Sequence, residues 1–350
     1  MSDNSYIKVS IIVPIYNAQN YVERCIVSLL RQDIDSYEII CVDDGSKDKS
    51  PEIIDRFARQ HPDTVRAFHT ENKGVWFARK FGIAMAQGKY IGFCDSDDIV
   101  QVKMYSTLYD LAESTKAEMA VCAYKRIDDV SGREYSNEMT KFGRKTLDVT
   151  DNIGTLSIIN TALWNKIILA EIIKNSIDFV IPPRIAEDMM LLASIYPKLS
   201  KIAFIDKPLY NYFVRLGSAM KTIGRDDIEL TKNAMVETKR YVMEKYDNIR
   251  YNTLLDLMAF VHLGVSLLVG LSQDKNSHIG VETMDMRRFL SKFFPTWRNN
   301  VYLKYRYIMK HNISLFKLKI LQNIYKLGFF PLFIRLYHFI IHKFKIEIKW

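Results

Sequence analysis

Lys89-Tyr90-Ile91-Gly92-Phe93-Cys94 is an apolar, β-prone run that ends in Asp95-Ser96-Asp97-Asp98. Three carboxylates within four residues repel one another, so they need solvent, basic partners or a bridging cation. Two aspartates flanking one residue at the carboxyl end of a strand point into the crevice where open α/β sheets bind ligands. Hard oxygen donors of this kind suit Mg²⁺ or Mn²⁺ rather than zinc. The competing reading is an ordinary acidic turn. A second acidic pair, Glu187-Asp188, opens an apolar helical pattern, where the helix dipole stabilises acids whether or not they do chemistry.

The elements that must position these acids alternate in type. Residues 9–14 form a β-branched run suited to a strand buried on both faces, with Pro14 where the strand should stop and Tyr16-Asn17 beginning a turn. Val22, Cys25, Ile26, Leu29 and Leu30 recur at helical spacing, and residues 37–42 are the next strand. Asp43-Asp44-Gly45-Ser46 then turns towards Ser50-Pro51, where serine suits an N-cap and proline the first helical position. A strand over 65–69, a helix over 75–86 and the strand into Asp95 complete the alternation. It predicts an α/β fold with a mainly parallel sheet and helices on both faces. Parallel strands end on one side, so Pro14 to Asn17, Asp43-Asp44 and Asp95 to Asp98 should converge. No G-x-G-x-x-G follows the first strand and no P-loop occurs, which disfavours nicotinamide and ATPase chemistry.

Four segments in this order carry a family resemblance: VSIIVPIYNAQNYVERCIVSLLRQ, YEIICVDDGSKDKS, ENKGVWFARKFGIAMAQGKYIGFCDSDD and IAEDMMLL. Over residues 8–218 the chain resembles the inverting nucleotide-sugar glycosyltransferases of family 2, which have the Rossmann-like GT-A fold. The resemblance implies a nucleotide-diphosphate donor, of which a UDP-sugar is the expectation, and Mn²⁺ or Mg²⁺ as cofactor. It implies that Pro14 and Tyr16, with Asn17, line the nucleotide pocket; their alternative is a strand-ending turn. It makes Asp44 the reader of the uracil imide and Asp43 a pocket or turn residue, although Asp-Gly is also an ordinary turn pair. Asn72, Gly74 and Arg79 would lie near the nucleotide, with a helix-surface arginine as the alternative. Asp97 becomes the direct metal ligand, Asp95 a contact to ribose, metal or metal-bound water, Ser96 part of the donor set, and Asp98 support. Leu163-Trp164-Asn165-Lys166 resembles the acceptor-side segment, placing Trp164 and Lys166 in acceptor or support roles. Asp188 would be the catalytic base and Glu187 its orienting or acceptor-binding neighbour. The run Tyr210-Asn211-Tyr212 with Arg215 and Ser218 resembles the segment that closes over the diphosphate.

Length and charge bound the rest. A chain of 350 residues exceeds a usual single core. The expected division is a catalytic domain over 1–223, with nucleotide-binding (8–100) and acceptor (119–218) parts, and a helical region over 224–350. Residues 127–155 read as less regular. From Trp297 onward there are eleven Lys and Arg against the single acid Glu347, so this tail holds +10 of a formal charge of +9 and the remainder −1. A basic tail on a neutral body argues against a nucleic-acid-binding core and for a local contact with something anionic. Its stretches 315–325 and 329–344 interleave lysine and arginine with apolar residues, and Pro331 should interrupt a helix there. They read either as packed helices with a solvated face or as helices lying on anionic lipid, the latter favoured by the charge. Residues 254–271 are apolar but broken by Asp256, His262 and two glycines, which suggests a buried helix. Cys25, Cys41, Cys94 and Cys122 are isolated in apolar runs and read as small buried hydrophobes. The polar N-terminus lacks a signal-peptide layout. The combined expectation is a cytoplasmic enzyme, peripheral on the inner face of the cell membrane, that extends a glycan or lipid-linked acceptor of a bacterial surface polysaccharide. Two rivals remain: a sugar nucleotidyltransferase, which needs a Gly-rich basic loop where Pro14-Ile15-Tyr16-Asn17-Ala18 stands, and a nucleotide-sugar-binding scaffold without catalysis.

Overall fold

The computed structural model describes residues 6–143, 145–177, 185–215, 224–273 and 277–344. Two compact units emerge, both discontinuous in sequence. The first comprises Met1–Thr150, Asn160–Phe179 and Glu187–Arg215; the second comprises Asp151–Ile159, Val180–Ala186 and Leu216–Trp350.

The first unit follows the alternation. Its elements in order are β1 (Val9–Ile15), α1 (Val22–Leu30), β2 (Tyr37–Asp43), α2 (Ser50–Gln60), β3 (Val65–His69), α3 (Val75–Met85), β4 (Tyr90–Phe93), β5 (Ile99–Val100) and α4 (Met104–Thr115). They continue with β6 (Met119–Asp128), β7 (Glu134–Glu138), β8 (Lys145–Asp148), β9 (Lys166–Leu169), α5 (Ala170–Lys174), α6 (Glu187–Ile195) and β10 (Lys201–Val214). The sheet order is β3-β2-β1-β4-β9-β6-β10-β5, with β7 paired to β6 and β8 to β10. β3, β2, β1 and β4 run parallel, as do β6 and β10, whereas β9 is antiparallel to both β4 and β6. Every residue of β1 is buried, as a central parallel strand covered on both faces requires.

Three details differ from the sequence reading. Residues 127–155 contain regular structure, because the end of β6, β7 and β8 extend the sheet with antiparallel pairs. Ser50 does not cap α2: it is already helical, and its hydroxyl accepts from Ala18 N at 2.8 Å, tying the helix start to the loop after β1. Pro14 lies within β1, which runs one residue further. The four cysteines are buried free thiols; those of Cys25 and Cys94 lie 3.6 Å apart.

The second unit is helical. It contains α7 (Arg225–Tyr246), α8 (Ile249–Ala259) continuing through a π-helical stretch into α9 (Leu268–Leu271), α10 (Ile279–Phe293), α11 (Tyr305–His311), α12 (Leu315–Lys326) and α13 (Phe330–Phe344). The continuous run Ile249–Leu271 is long and apolar enough to cross a membrane, yet 78% of its most apolar stretch is buried within the fold, as a core helix would be. Phe260, Trp297 and Tyr325 form a ring cluster with centroids 5.5 Å apart. Fully buried Asp256 is satisfied by Lys239 Nζ at 2.6 Å and by the amide and hydroxyl of Thr296, both at 2.7 Å. Pro331 starts α13 instead of interrupting it, because the first turn has no use for its missing N–H.

α3 sits close to the sheet at Gly82, where an added Cβ would lie 2.5 Å from Ile12 Cγ2 on β1. Ile12 is β-branched and fully buried, so it has little room to yield. Gly82→Ala is therefore expected to destabilise the protein by about 1–3 kcal/mol, the usual range for overpacking. Urea unfolding measures this, and a midpoint equal to wild type would contradict the packing described.

Candidate active site

Arg79 lies on the second turn of α3 and is buried. Its Nη1 donates to Glu187 Oε1 and to Asp188 Oδ1, both at 2.6 Å, and its Nη2 donates to Asp95 Oδ1 at 3.2 Å. A planar guanidinium with several fixed donors suits this role, because one side chain can reach three acids supplied by two separate segments. Asp188 Oδ2 also accepts from Leu163 N at 3.3 Å. Burial pushes the Asp188 carboxyl up to about 7; Arg79 opposes this, while the charges of Glu187 and Asp95 reinforce it.

The backbone before α3 is fixed by Asp44. Its Oδ1 accepts from Lys73 N and its Oδ2 from Gly74 N, both at 2.8 Å. Gly74 has φ +92, a conformation that glycine supplies without strain. Asn17, at φ +48, receives Lys47 N on its side-chain oxygen at 2.8 Å and donates its own N–H to Ser46 Oγ at 2.9 Å. Asp43 accepts from Ser46 N at 3.1 Å and faces His69 Nδ1 at 3.3 Å. The loops after β1 and β2 therefore meet, and Asp44 links the second to the start of α3. Pro14 is buried, whereas Tyr16, Asn72 and Gly74 are exposed and Ser96 half-buried.

In the acid cluster, one oxygen from each of Asp95, Asp97 and Asp98 lies within 4.8 Å of the others. The three are not equivalent. Asp98 is fully buried; its Oδ2 accepts from Tyr210 Oη at 2.7 Å and its Oδ1 from Phe213 N at 2.8 Å. Burial, then the charges of Asp97 and Asp95, push it well above the usual carboxylate range. It anchors the turn to β10, and Tyr210 Oη reinforces this by accepting from Asp95 N at 3.1 Å. Asp95 and Asp97 are only part-buried, so two hard oxygen donors remain that fit a divalent cation. Burial and then Asp95 raise the Asp97 carboxyl, while Arg215 lowers it.

Asp97 is also held from outside the turn. Arg215 Nη1 donates to Asp97 Oδ2, and Arg215 Nε to Asp129 Oδ2 at 2.9 Å. Arg24 donates to the Asp97 carbonyl at 3.0 Å and to Asp129 Oδ1 at 2.8 Å. Their guanidiniums lie over the rings of Tyr21, 3.7 Å from Arg215, and Phe213, 4.4 Å from Arg24. Arg24, Tyr21 and Asp129 were absent from the sequence reading. A weak signal existed for the last: Asp128-Asp129 closes a strand as Asp95 does, but with Lys125 and Arg126 just before it.

Trp164 and Lys166 are both buried. Trp164 stacks on Tyr210 at 4.3 Å and on Tyr212 at 5.5 Å. Lys166 Nζ donates to the Asn160 carbonyl at 3.0 Å, the Asn165 side chain at 2.7 Å and the Ala162 carbonyl. This fastens the loop whose Leu163 amide meets Asp188, and burial lowers the Lys166 ammonium to about 7. Ser218 lies outside the described residues.

Residues 10–189 match the family model described as glycosyl transferase family 2. The chain is 34% identical over 232 residues to glycosyltransferase GlyG of Streptococcus pneumoniae serotype 4, covering 61% of this chain and 73% of that protein. It is 30% identical over 212 residues to the poly(ribitol-phosphate) beta-glucosyltransferase of Bacillus spizizenii, covering 59% of this chain but only 32% of that longer protein. Among solved structures, Staphylococcus aureus TarS 1–349 in complex with UDP-GlcNAc superposes with a TM-score of 0.68 at 19% identity, over 92% of this chain and 88% of that one. The fold is GT-A-like, with a mostly parallel central sheet followed by a helical C-terminal region.

The raised Asp188 pKa has a consequence for stability. Between the ordinary 3.8 and about 7, the folded protein holds this proton more tightly than the unfolded chain does. Its contribution to stability therefore declines as pH rises through that window and is fully lost above it. Asp188→Asn removes this penalty while Glu187 and Asp95 still pair with Arg79. With a chelator present, the variant is expected to exceed wild type in stability by on the order of 1–3 kcal/mol at pH 8. The gap should narrow towards pH 4. Thermal unfolding across this range checks it; a pH-independent gap, or a less stable variant at pH 8, would refute the electrostatic account of Asp188.

Proposed function

We propose that this chain, which belongs to glycosyl transferase family 2, transfers a sugar with inversion from a UDP-sugar to a hydroxyl of a glycan or lipid-linked acceptor in bacterial surface-polymer synthesis. The observation carrying this reading is the Arg79 network, which joins Asp95 of the acid turn to Asp188 at the start of α6. A leaving-group side and a proton-accepting side thus share one buried cation. The UDP-GlcNAc complex of TarS and the poly(ribitol-phosphate) beta-glucosyltransferase among the relatives support the donor and acceptor classes.

Asp188 accepts the proton of the acceptor hydroxyl as that oxygen attacks the anomeric carbon from the side opposite the diphosphate. The new carbon–oxygen bond forms while the bond to the diphosphate breaks, and its electron pair leaves with the nucleotide. A carboxylate titrating near neutral pH suits this proton transfer better than an ordinary one. Arg79 and the Leu163 amide orient the carboxylate. Asp95 and Asp97 would hold a divalent cation, Mn²⁺ or Mg²⁺, whose positive charge would offset the negative charge of the diphosphate. Asp98 keeps the turn in place, and Arg215 and Arg24, beside Asp97, add positive charge there. Tyr16, Asn17, Asp43, Asp44, Asn72 and Gly74 shape the nucleotide pocket, with Asp44 acting through the Lys73 and Gly74 amides it holds.

A panel of nucleotide sugars with Mn²⁺, scored by binding and by slow donor hydrolysis, identifies the donor without knowledge of the acceptor. With that donor, Asp97→Ala is expected to lose metal-dependent binding. Asp188→Asn should bind donor normally while transfer falls by at least about a hundredfold, the lower range for general-base catalysis. Unchanged metal dependence in the first variant would remove Asp97 as ligand. Turnover within a few-fold of wild type in the second would remove Asp188 as base.

A further inference from the structure

The C-terminal helices have two apolar sides, and the fold uses one of them. On α12, Leu315, Leu318, Leu321 and Tyr325 are buried; on α13, Phe330, Ile334 and Tyr337 are buried. These stripes belong to the core of the second unit. The opposite stripes should be polar on a solvated surface helix. Instead α12 exposes Phe316 and Ile320, and α13 exposes Leu332, Leu336 and Phe339, each between 40% and 63% accessible. Spacings of four on α12, and of four and three on α13, align each set along one face.

The exposed residues continue from helix to helix. The ring of exposed Tyr305 on α11 lies 6.2 Å from that of Phe316. Gly328, at φ +83, turns the chain between α12 and α13, and exposed Leu327 and Phe329 flank it. Basic residues are interspersed: Lys310, Lys317 and Arg335 are all exposed. Between Trp297 and Ile346 the sequence contains no Asp or Glu, so this surface carries no acid of its own.

We infer that the outward faces of α11, α12 and α13 form a docking surface for an anionic lipid leaflet, with the helices lying in the interface plane and their inner faces still packed in the protein. Charge decides between occupants. A second copy of the chain would bring the same positive surface against itself, which repels. An anionic leaflet offers negative headgroups to the lysines and arginines, and an apolar layer to the side chains between them. This inference does not rest on sugar transfer, and its test reads binding alone.

Removing the tail would not test it, because Trp297, Leu315, Tyr325 and Phe330 are core residues. The full chain should instead be cosedimented with vesicles of phosphatidylcholine alone and of phosphatidylcholine with phosphatidylglycerol, at low and high salt. Wild type is expected to favour the anionic vesicles by at least about tenfold and to lose that preference in high salt. Two variants separate the contributions: Leu332→Ser/Leu336→Ser/Phe339→Ser for the apolar face and Lys317→Glu/Arg335→Glu for the charge. Each should retain the wild-type melting temperature and bind anionic vesicles at least about tenfold more weakly. Equal wild-type binding to both vesicles, or to neither, would overturn the inference. So would wild-type vesicle binding by correctly melting variants, or lipid-free wild-type self-association that the serine variant abolishes.

Discussion

One buried guanidinium holds together side chains that lie far apart in the sequence. Arg79 donates hydrogen bonds to Asp95, just after β4, and to Glu187 and Asp188 at the start of α6. Without it, acids would face one another in a poorly solvated space, and breaking a buried ion network in this way typically costs about 3–5 kcal/mol. With it, one positive charge still meets three acids. Burial, reinforced by the remaining negative charge of Glu187 and Asp95, is why Asp188 keeps its proton to near neutral pH, and the same negative excess suits the open side of the cluster to a cation.

The surrounding fold keeps that guanidinium in place. Asp44 grips the two amides ahead of α3, and Gly82 lets the helix that carries Arg79 approach Ile12 of β1 closely. On the other side, Asp98 and Tyr210 tie the acid turn to β10, while Trp164 stacks against Tyr210. Buried polar groups of this kind stabilise only when their partners are present, so the site and the core around it form one cooperative arrangement.

Much of this was legible locally. The strand–helix alternation places the ends of β1, β2 and β4 on one edge, because each unit is short and parallel pairing leaves little choice. Asp95, Asp97 and Asp98 stood out because acids end an apolar run, whereas Asp188 stood out through the resemblance of its segment to the family. What escaped depends on long-range pairing. Arg24 meets Asp129 across 105 positions, and no spacing rule spans that distance. The four residues of β9 insert antiparallel between β4 and β6, a choice made by tertiary packing rather than propensity. Lys166 reads as an acceptor-side or support residue, but its burial against the Asn160 and Asn165 oxygens has no local signature. In the tail, periodicity left packed helix and lipid-facing helix as alternatives, whereas the helices have an apolar stripe on each side and the inner one is packed.

Arg79 and Asp188 act as one unit. A double-mutant cycle on unfolding free energy, using Arg79→Gln and Asp188→Asn at pH 8 with a chelator, measures this directly. A coupling of about 1–3 kcal/mol is expected, as for residues sharing one hydrogen-bonded ion network. Additive effects of the two substitutions would contradict it.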